Sequence, residues 1–339
     1  MNTHAELEDL PTTWGGYDKL PLEAKFHLGK GTPIVAMSGK FHKAWGEFGG
    51  FKHPDAIKYE AAAMISFGAS CNFGDQLHPS GEMDFETYTN IGKAYEYVEK
   101  IEKYGPGGTP YSNLGIWLSL DHSADQGLVN MLLQLHKDFI VANENNLDKL
   151  DIILIPSKNN ISQNQLKILQ DWLDNGGKLI VFGNGMLDSS NKKFLIDLGC
   201  EYVSDSPYDF DFTSISETIG YEIVKTPFVN YDSAIRVKLT DGKPLGMIRE
   251  PYFNRTYEKY SSHRETPYKL EDSSFPSAVK KNNTIFFTHS LDKLYYDHGM
   301  RIHRQLLENA IEELKINKYV NMINFPSSGR ISLLNQEKI

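Results

Sequence analysis

Cysteine is nearly missing from this sequence. Cys71 and Cys200 are the only two in 339 residues, too few and too far apart for a disulfide framework or a zinc cluster. They are expected as buried thiols in a reducing compartment. Long apolar runs are missing too, since no stretch approaches the ~20 residues that cross a bilayer. The opening residues, MNTHAELEDLPTTWGG, hold neither a basic region nor a hydrophobic segment. No secretion signal is therefore expected, and the cytoplasm is the default location. Basic clusters are scarce, and the net charge of −9 argues against a nucleic-acid or anionic-membrane partner, because phosphate binding needs grouped Lys and Arg. No two histidines stand at i, i+4 and no histidine–carboxylate cluster is local, so no metal site is expected. Gly183-Asn184-Gly185 follows a strand pattern, but Asp188 stands where a third glycine would complete a dinucleotide turn. No cofactor is expected.

What is present is an ordinary globular balance, 40% hydrophobic and 23% charged, with a full 12% aromatic. The length allows two or three domains with sizeable cores. Residues 32–81 organise the first part of the chain. Val35 to Met37 is a short apolar run, followed by charge, histidine and aromatics between glycines from Lys40 to Gly50. Pro54 to Phe67 has helical spacing, with Ile57, Ala61, Met64 and Ile65 on one side, and Gly68 closes it. Ala69 to Phe73 is a second strand that empties into Asp75, Gln76 and His78. Strands whose carboxyl ends open into polar, aromatic loops are what an α/β barrel presents at its active face. Upstream, HAELEDL reads as a strand with Glu6 and Glu8 on one face, and Leu20 to Leu28 as a helix. Three successive βα units result. Phe85 to Tyr104 is a further helix.

Gly105 to Pro110 places three glycines and two prolines in six residues, which ends any helix or central strand. Beyond it, strands at Ile116–Leu120, Phe139–Ala142, Asp151–Pro156 and Lys178–Phe182 alternate with helices at Asp125–Leu135 and Ser162–Asp174. That rhythm indicates a parallel, doubly wound sheet. Ser162 and Gln165 have the spacing of a capping box. Phe194–Leu198 reads as a short helix, 205–275 as irregular and strand-like, Thr284–His289 as a strand and Gly299–Leu314 as a long helix. A strand starts near Arg330, with no chain left to pair it.

The chemistry sits at the strand ends. Glu6, Glu8, Glu47 and Asp75 could serve as acid, base or nucleophile in glycoside hydrolysis, which needs two carboxyl groups; each also fits as a rim carboxylate pairing with lysine. Glu6 and Asp75 are best placed. Trp14, Tyr17, Trp45, Phe48 and Phe51 lie in glycine-rich loops, where a ring can stack on a sugar or join a protein interface. His42 and His78 follow strands and could bond hydroxyls or move protons, or simply bond backbone. Cys200 follows Leu198-Gly199 rather than a strand-to-helix elbow, which argues against a thiol nucleophile.

HAELEDLPT, GKFHKAWGEFGG, GASCNFGDQLHPSG and EPYFNRTYEKYSSHRETP (250–267) resemble a group of barrel glycosidases. These are the hypothetical glycosyl hydrolase 6 proteins, related to family-151 α-L-fucosidases and more distantly to family-42 β-galactosidases. Residues 112–199 resemble their β-galactosidase trimerisation domain, a flavodoxin-like or amidotransferase-like module. The resemblance implies an α/β chain: the C-terminal part of a (β/α)8 TIM barrel over 1–108, with HAELEDL, PIVAM and ASCNF as strands six to eight. A doubly wound trimerisation domain over 109–320 and the start of a C-terminal β domain over 321–339 would follow. It implies hydrolysis of O-glycosidic bonds, a carbohydrate substrate and a homotrimer, with an upstream chain completing the barrel. Glu6, Glu47 and Asp75 would be catalytic, and Glu8, Trp14, His42, Trp45, Gln76 and His78 would contact sugar. The loop after PIVAM offers Glu47 without the family-42 nucleophile motif. The alternative is a non-catalytic oligomerisation or sugar-binding module.

Overall fold

The computed structural model describes residues 3–158 and 161–336. The chain folds as two compact units. The first comprises Met1–Ser112, Asp138–Val141 and Ser328–Ile339, and the second Asn113–Lys137 and Ala142–Ser327. The segment from Ser328 thus groups with the first unit.

In the first unit, β1 (Ala5–Glu8), β2 (Ile34–Gly39) and β3 (Ser70–Gly74) form a parallel sheet in chain order. Period-two alternation sorts its faces. Leu7, Asp9, Ile34, Ala36 and Ser38 are buried while Glu6 and Glu8 are exposed. The buried face packs against helices α1 (Lys19–Leu28) and α2 (Pro54–Ser66). The expected apolar side of α2 holds, since Ile57, Ala61, Met64 and Ile65 are all buried. Ile57, Ala61 and Ile65 share a core with Ala94 and Val98 of α3 (Phe85–Ile101). The expected helix to Tyr104 stops at Ile101 and tightens into a 3-10 turn over Glu102–Tyr104. There the chain crosses α2 so closely that a Cβ on Gly105 would lie 1.9 Å from the Ile65 carbonyl oxygen.

The strand near the chain's end does find a partner: Leu334–Asn335 pairs antiparallel with Thr109–Pro110. Two ion pairs fasten the same segment. Arg330 grips Asp18 with both Nε and Nη2, at 2.6 and 2.7 Å. Asp138 joins the buried Lys25 at 2.6 Å and accepts from the Leu333 N–H.

The second unit is built on a mixed sheet. Its order is Phe228–Val229, Phe212–Ile215, Lys243–Arg249, Pro276–Lys281, Thr284–Phe287, Lys178–Phe182, Ile152–Ile155 and Leu114–Ile116. The last four are mutually parallel and nearly continuous in burial, as strands covered on both faces must be. The others are antiparallel, as the strand-like reading of 205–275 expects. The helix Gln163–Asp174 opens with the expected capping box, both of whose hydrogen bonds form.

Three expectations fail here, each for a local reason. The strand expected to run to Leu120 ends at Ile116, because the Asp125 carboxylate accepts the N–H groups of Ser119 and Leu120 and Leu120 turns left-handed at φ 64°. The helix expected at Phe194–Leu198 is instead a hairpin pairing Lys193–Phe194 with Leu187–Asp188. The Asp188 carboxylate makes that turn by accepting from Ser190 and Asn191. The long terminal helix begins at Arg301, and Gly299, at φ 59°, caps a separate helix Leu291–His298. Three further strands are shorter than expected, Ile140–Val141, Ile152–Ile155 and Thr284–Phe287.

Gly127 lies buried in the helix His122–Gln134, where a Cβ would fall 2.0 Å from the Asp292 carbonyl oxygen. Backbone cannot yield as a side-chain tip can. Gly127→Ala should destabilise the protein by about 1–3 kcal/mol despite alanine's better helix propensity, which a thermal or urea melt reads directly.

Candidate functional site

The carboxyl ends of β1, β2 and β3 lie side by side, as parallel register requires, so their three loops form one face of the first unit. The loop after β2 is the best defined. Gly39 ends the strand, and any Cβ there would meet the Phe41 ring at 2.5 Å, so the glycine lets Phe41 fold back and bury itself. The loop closes where the Lys52 N–H donates to the Lys40 carbonyl at 2.8 Å. Glu47 braces its middle, since Oε1 accepts the N–H groups of His42 and Lys43, each at 2.7 Å. Those backbone bonds hold its carboxyl below the usual range. The same carboxylate occupies the space beside Gly50, where a Cβ would fall 2.2 Å from Oε1.

Aromatic residues of two loops meet on this face. Trp14 and Trp45 stack with centroids 5.8 Å apart and planes 21° apart, and Phe41 backs Trp45 at 5.5 Å. The Trp45 indole also lies against Gly74 at the end of β3, only 3.1 Å from where a Cβ would sit. Thr12 and Thr13 tie the loops together by donating to the carbonyls of His42 and Lys43.

Lys40 is the hub between β2, β3 and α3. Its buried ammonium lies 2.8 Å from Asp75 Oδ1 and 3.7 Å from Asp84 Oδ2, and donates to Thr87 Oγ1 at 3.2 Å. Asp75 Oδ1 also accepts the Gln76 N–H at 2.7 Å, which fixes the carboxylate. Asp84 caps α3, and its bonds from Thr87 hold it low. His78 bonds Ser80 through Nδ1 at 2.9 Å and meets the Phe48 ring edge-on.

The other candidates are more scattered. Glu6 sits towards the amino end of β1, exposed beside His4 at 3.7 Å. Glu8 shares its face at the carboxyl end, and its carbonyl accepts from Lys19. The His42 ring is exposed. Trp14, Trp45, Glu47, Asp75, Gln76 and His78 therefore belong to the connected loop face, and Glu6 stands apart from it. Among the described residues, no group of three or more His, Cys, Asp or Glu is placed to hold a metal ion. No helix of the described residues is long and apolar enough to cross a membrane.

Beneath this face lies a polar layer whose residues the strand-end pattern does not single out. Lys52 is buried and reaches Glu60 Oε2 at 2.7 Å and Ser38 Oγ at 2.8 Å, while Ser38 donates to the same Glu60 oxygen at 2.6 Å. Burial pushes Glu60 up and Lys52 down, each opposed by the other. Asp9, directly after β1, lines a small cavity with Glu60. Both Asp9 oxygens and Glu60 Oε1 lack hydrogen-bond partners among the described residues. The signal was available in part, since a charged residue alternating in phase with Leu7 must point into the helix layer.

The two cysteines are quiet. Cys71 is half-buried in β3 and Cys200 buried in the strand Cys200–Ser204. Burial, with the Asp197 charge, pushes the Cys200 thiol up to about 12. In Gly183-Asn184-Gly185 the glycines serve packing: Gly183 has φ 48°, and a Cβ on Gly185 would meet the Pro156 carbonyl oxygen at 2.2 Å.

No protein-family model matches the chain, and no curated protein sequence is similar to it. Solved structures are similar. The α-L-fucosidase isoenzyme 2 of Paenibacillus thiaminolyticus aligns at 30% identity with a TM-score of 0.92, over 99% of this chain and 53% of that one. The fold is glycoside-hydrolase-like. β-Galactosidases from Rahnella sp. R3 and Bacillus circulans sp. alkalophilus share the fold at 11% and 9% identity, with TM-scores of 0.64 and 0.62. They align over 94% and 89% of this chain and 51% and 49% of theirs. The chain thus spans about half the length of each of these glycosidases.

Burial, opposed by Lys19 and reinforced by Glu23 and Glu60, raises Asp9 from 3.8 to about 6. A carboxyl that holds its proton more tightly when folded stabilises fully below the unfolded value, and that contribution fades as pH rises through the folded one. Stability should fall between pH ~4 and pH ~6.5 on this account, by about 2 kcal/mol at most, since the full ~3 kcal/mol is spread over a wider pH range and solvent screens part of it. Asp9→Asn should flatten that decline and raise the melting temperature at pH ~8, as parallel melts across pH would show.

Proposed function

We propose that this chain is part of a glycoside hydrolase that cleaves O-glycosidic bonds, α-L-fucosidase-like first and β-galactosidase-like second. The observation that carries the reading is the fit to the P. thiaminolyticus α-L-fucosidase along 99% of the chain. The loop face agrees with it chemically. The stacked Trp14–Trp45 pair offers a flat apolar platform for the C–H face of a sugar ring, next to a carboxylate, Asp75, fixed by Lys40. In this reading Asp75, Glu47 and Glu6 supply carboxyl groups, and Glu8, His42, Gln76 and His78 contact hydroxyls.

The three βα units would be strands six to eight of a (β/α)8 barrel. β1 and β3 each have one neighbour in their sheet among the described residues, and a parallel strand left at an edge needs pairing or cover. Further barrel strands, from an upstream chain, would supply it. The second unit would serve as a flavodoxin-like trimerisation domain in a cytoplasmic homotrimer, with no nucleic-acid or membrane partner. Its parallel strands support that class of fold.

A second reading, a non-catalytic sugar-binding or oligomerisation module, is favoured by one detail: Glu47 Oε1 is committed to its own loop.

The deciding experiment produces the chain together with the one encoded immediately upstream and assays aryl α-L-fucosides and β-galactosides. Turnover is expected, with kcat/KM falling by a factor of at least ~100 in Asp75→Asn, as for loss of an acid–base group, and KM rising in Trp45→Ala. No turnover from any pairing, alongside retained sugar binding, would favour the module instead.

A further inference from the structure

Asp9 and Glu60, in the first unit, are only 3% and 2% exposed. Both line a small cavity where β1 and β2 meet α1 and α2. Leu7, Leu20, Ala36 and Met64 make up much of the remaining wall and offer no side-chain donor. Three carboxyl oxygens, Asp9 Oδ1 and Oδ2 and Glu60 Oε1, accept no hydrogen bond from the described residues. A buried carboxylate oxygen without a donor has given up water and gained nothing for it. Three of them around one cavity call for a donor that the chain itself does not supply.

The groups facing the pair decide what that donor is. On its other oxygen, Oε2, Glu60 meets Lys52 at 2.7 Å and the Ser38 hydroxyl at 2.6 Å, so its charge is compensated. Among the described residues Asp9 has one cation near it, Lys19, 3.8 Å from Oδ1. Lys19 is shared with the Glu8 carbonyl at 3.0 Å and with Glu23 at 3.5 Å. Tyr17 also lines the cavity, and burial holds its phenol above the ordinary range, so it stays neutral. Setting Lys52 against Glu60 and Lys19 against Glu23 leaves one buried negative charge, on Asp9. A proton cancels that charge and turns Asp9 into a donor. The proton serves one oxygen and leaves Glu60 Oε1 bare. The cavity measures about 10 Å³, close to the least that holds one water, roughly 10–15 Å³, and too small for anything larger. A water both accepts and donates, so it can relay between two acids.

We propose that this cavity is a binding site for a single water molecule, through which a protonated Asp9 is joined to Glu60. The Asp9 O–H donates to the water, the water donates to Glu60 Oε1, and the second Asp9 oxygen is left towards Lys19. The link ties the residue after β1 to the middle of α2. It stands whether or not the first unit hydrolyses a glycoside.

Two measurements on the full chain test it. Infrared spectroscopy reads the C=O stretch of a protonated carboxyl, and oxygen-17 magnetic relaxation dispersion counts waters held inside the protein. The wild type should show the carboxyl band at pH ~5 and lose it as pH rises past about 6. Asp9→Asn should abolish the band and keep the water, because the amide still donates and accepts. Asp9→Leu should remove both the band and one long-lived water. Glu60→Gln, which takes away a neighbouring negative charge, should move the loss of the band to lower pH. No band at pH ~5 in the wild type, or a band unchanged in Asp9→Asn, would overturn the proposal. An equal count of long-lived waters in the wild type and in Asp9→Leu would overturn it as well.

Discussion

A buried ion pair holds the loop face in place. Lys52, Glu60 and Ser38 form a closed hydrogen-bonded triangle, and all three side chains are buried. Lys52 also closes the loop through its backbone bond to Lys40. Such a pair gains little over apolar packing, yet losing one partner strands a charge in a dry interior and costs several kcal/mol. The triangle therefore fixes where the loop from Lys40 to Lys52 returns to the helix layer. Everything placed by that loop, from Phe41 and Trp45 to Glu47, inherits the constraint.

Above this layer the polar groups fall into two kinds. Lys40, Asp84 and Glu47 commit their hydrogen bonds to the scaffold, joining strand end to helix cap or bracing a turn. Asp75, Trp14 and Trp45 are held by contacts between loops, Asp75 by Lys40 and the two indoles by each other.

Much of the architecture was legible because the relevant signals are local. The α2 side of Ile57, Ala61, Met64 and Ile65, the capping box at Ser162 and the run KLIVF all form as their spacing dictates. Three of the misreadings share one cause. At Leu120, at Phe194 and at Gly299, a carboxylate or a left-handed residue a few positions away ended or redirected an element that apolar periodicity alone would have continued. Periodicity registers burial and is blind to a side chain capturing backbone N–H groups.

The sequence by itself determined the βα rhythm, the aromatic loops and the residue types at the strand ends, because these follow from periodicity and from the chemistry of single side chains. Only the tertiary structure decided which of those residues meet. It stacked Trp14 on Trp45 from separate loops, tied Lys40 to Asp75, turned Glu47 back onto its own loop and gave Leu334–Asn335 a partner at Thr109–Pro110. Each of these joins residues through space after the chain has turned, and parallel strand register sets that geometry where no sequence spacing can.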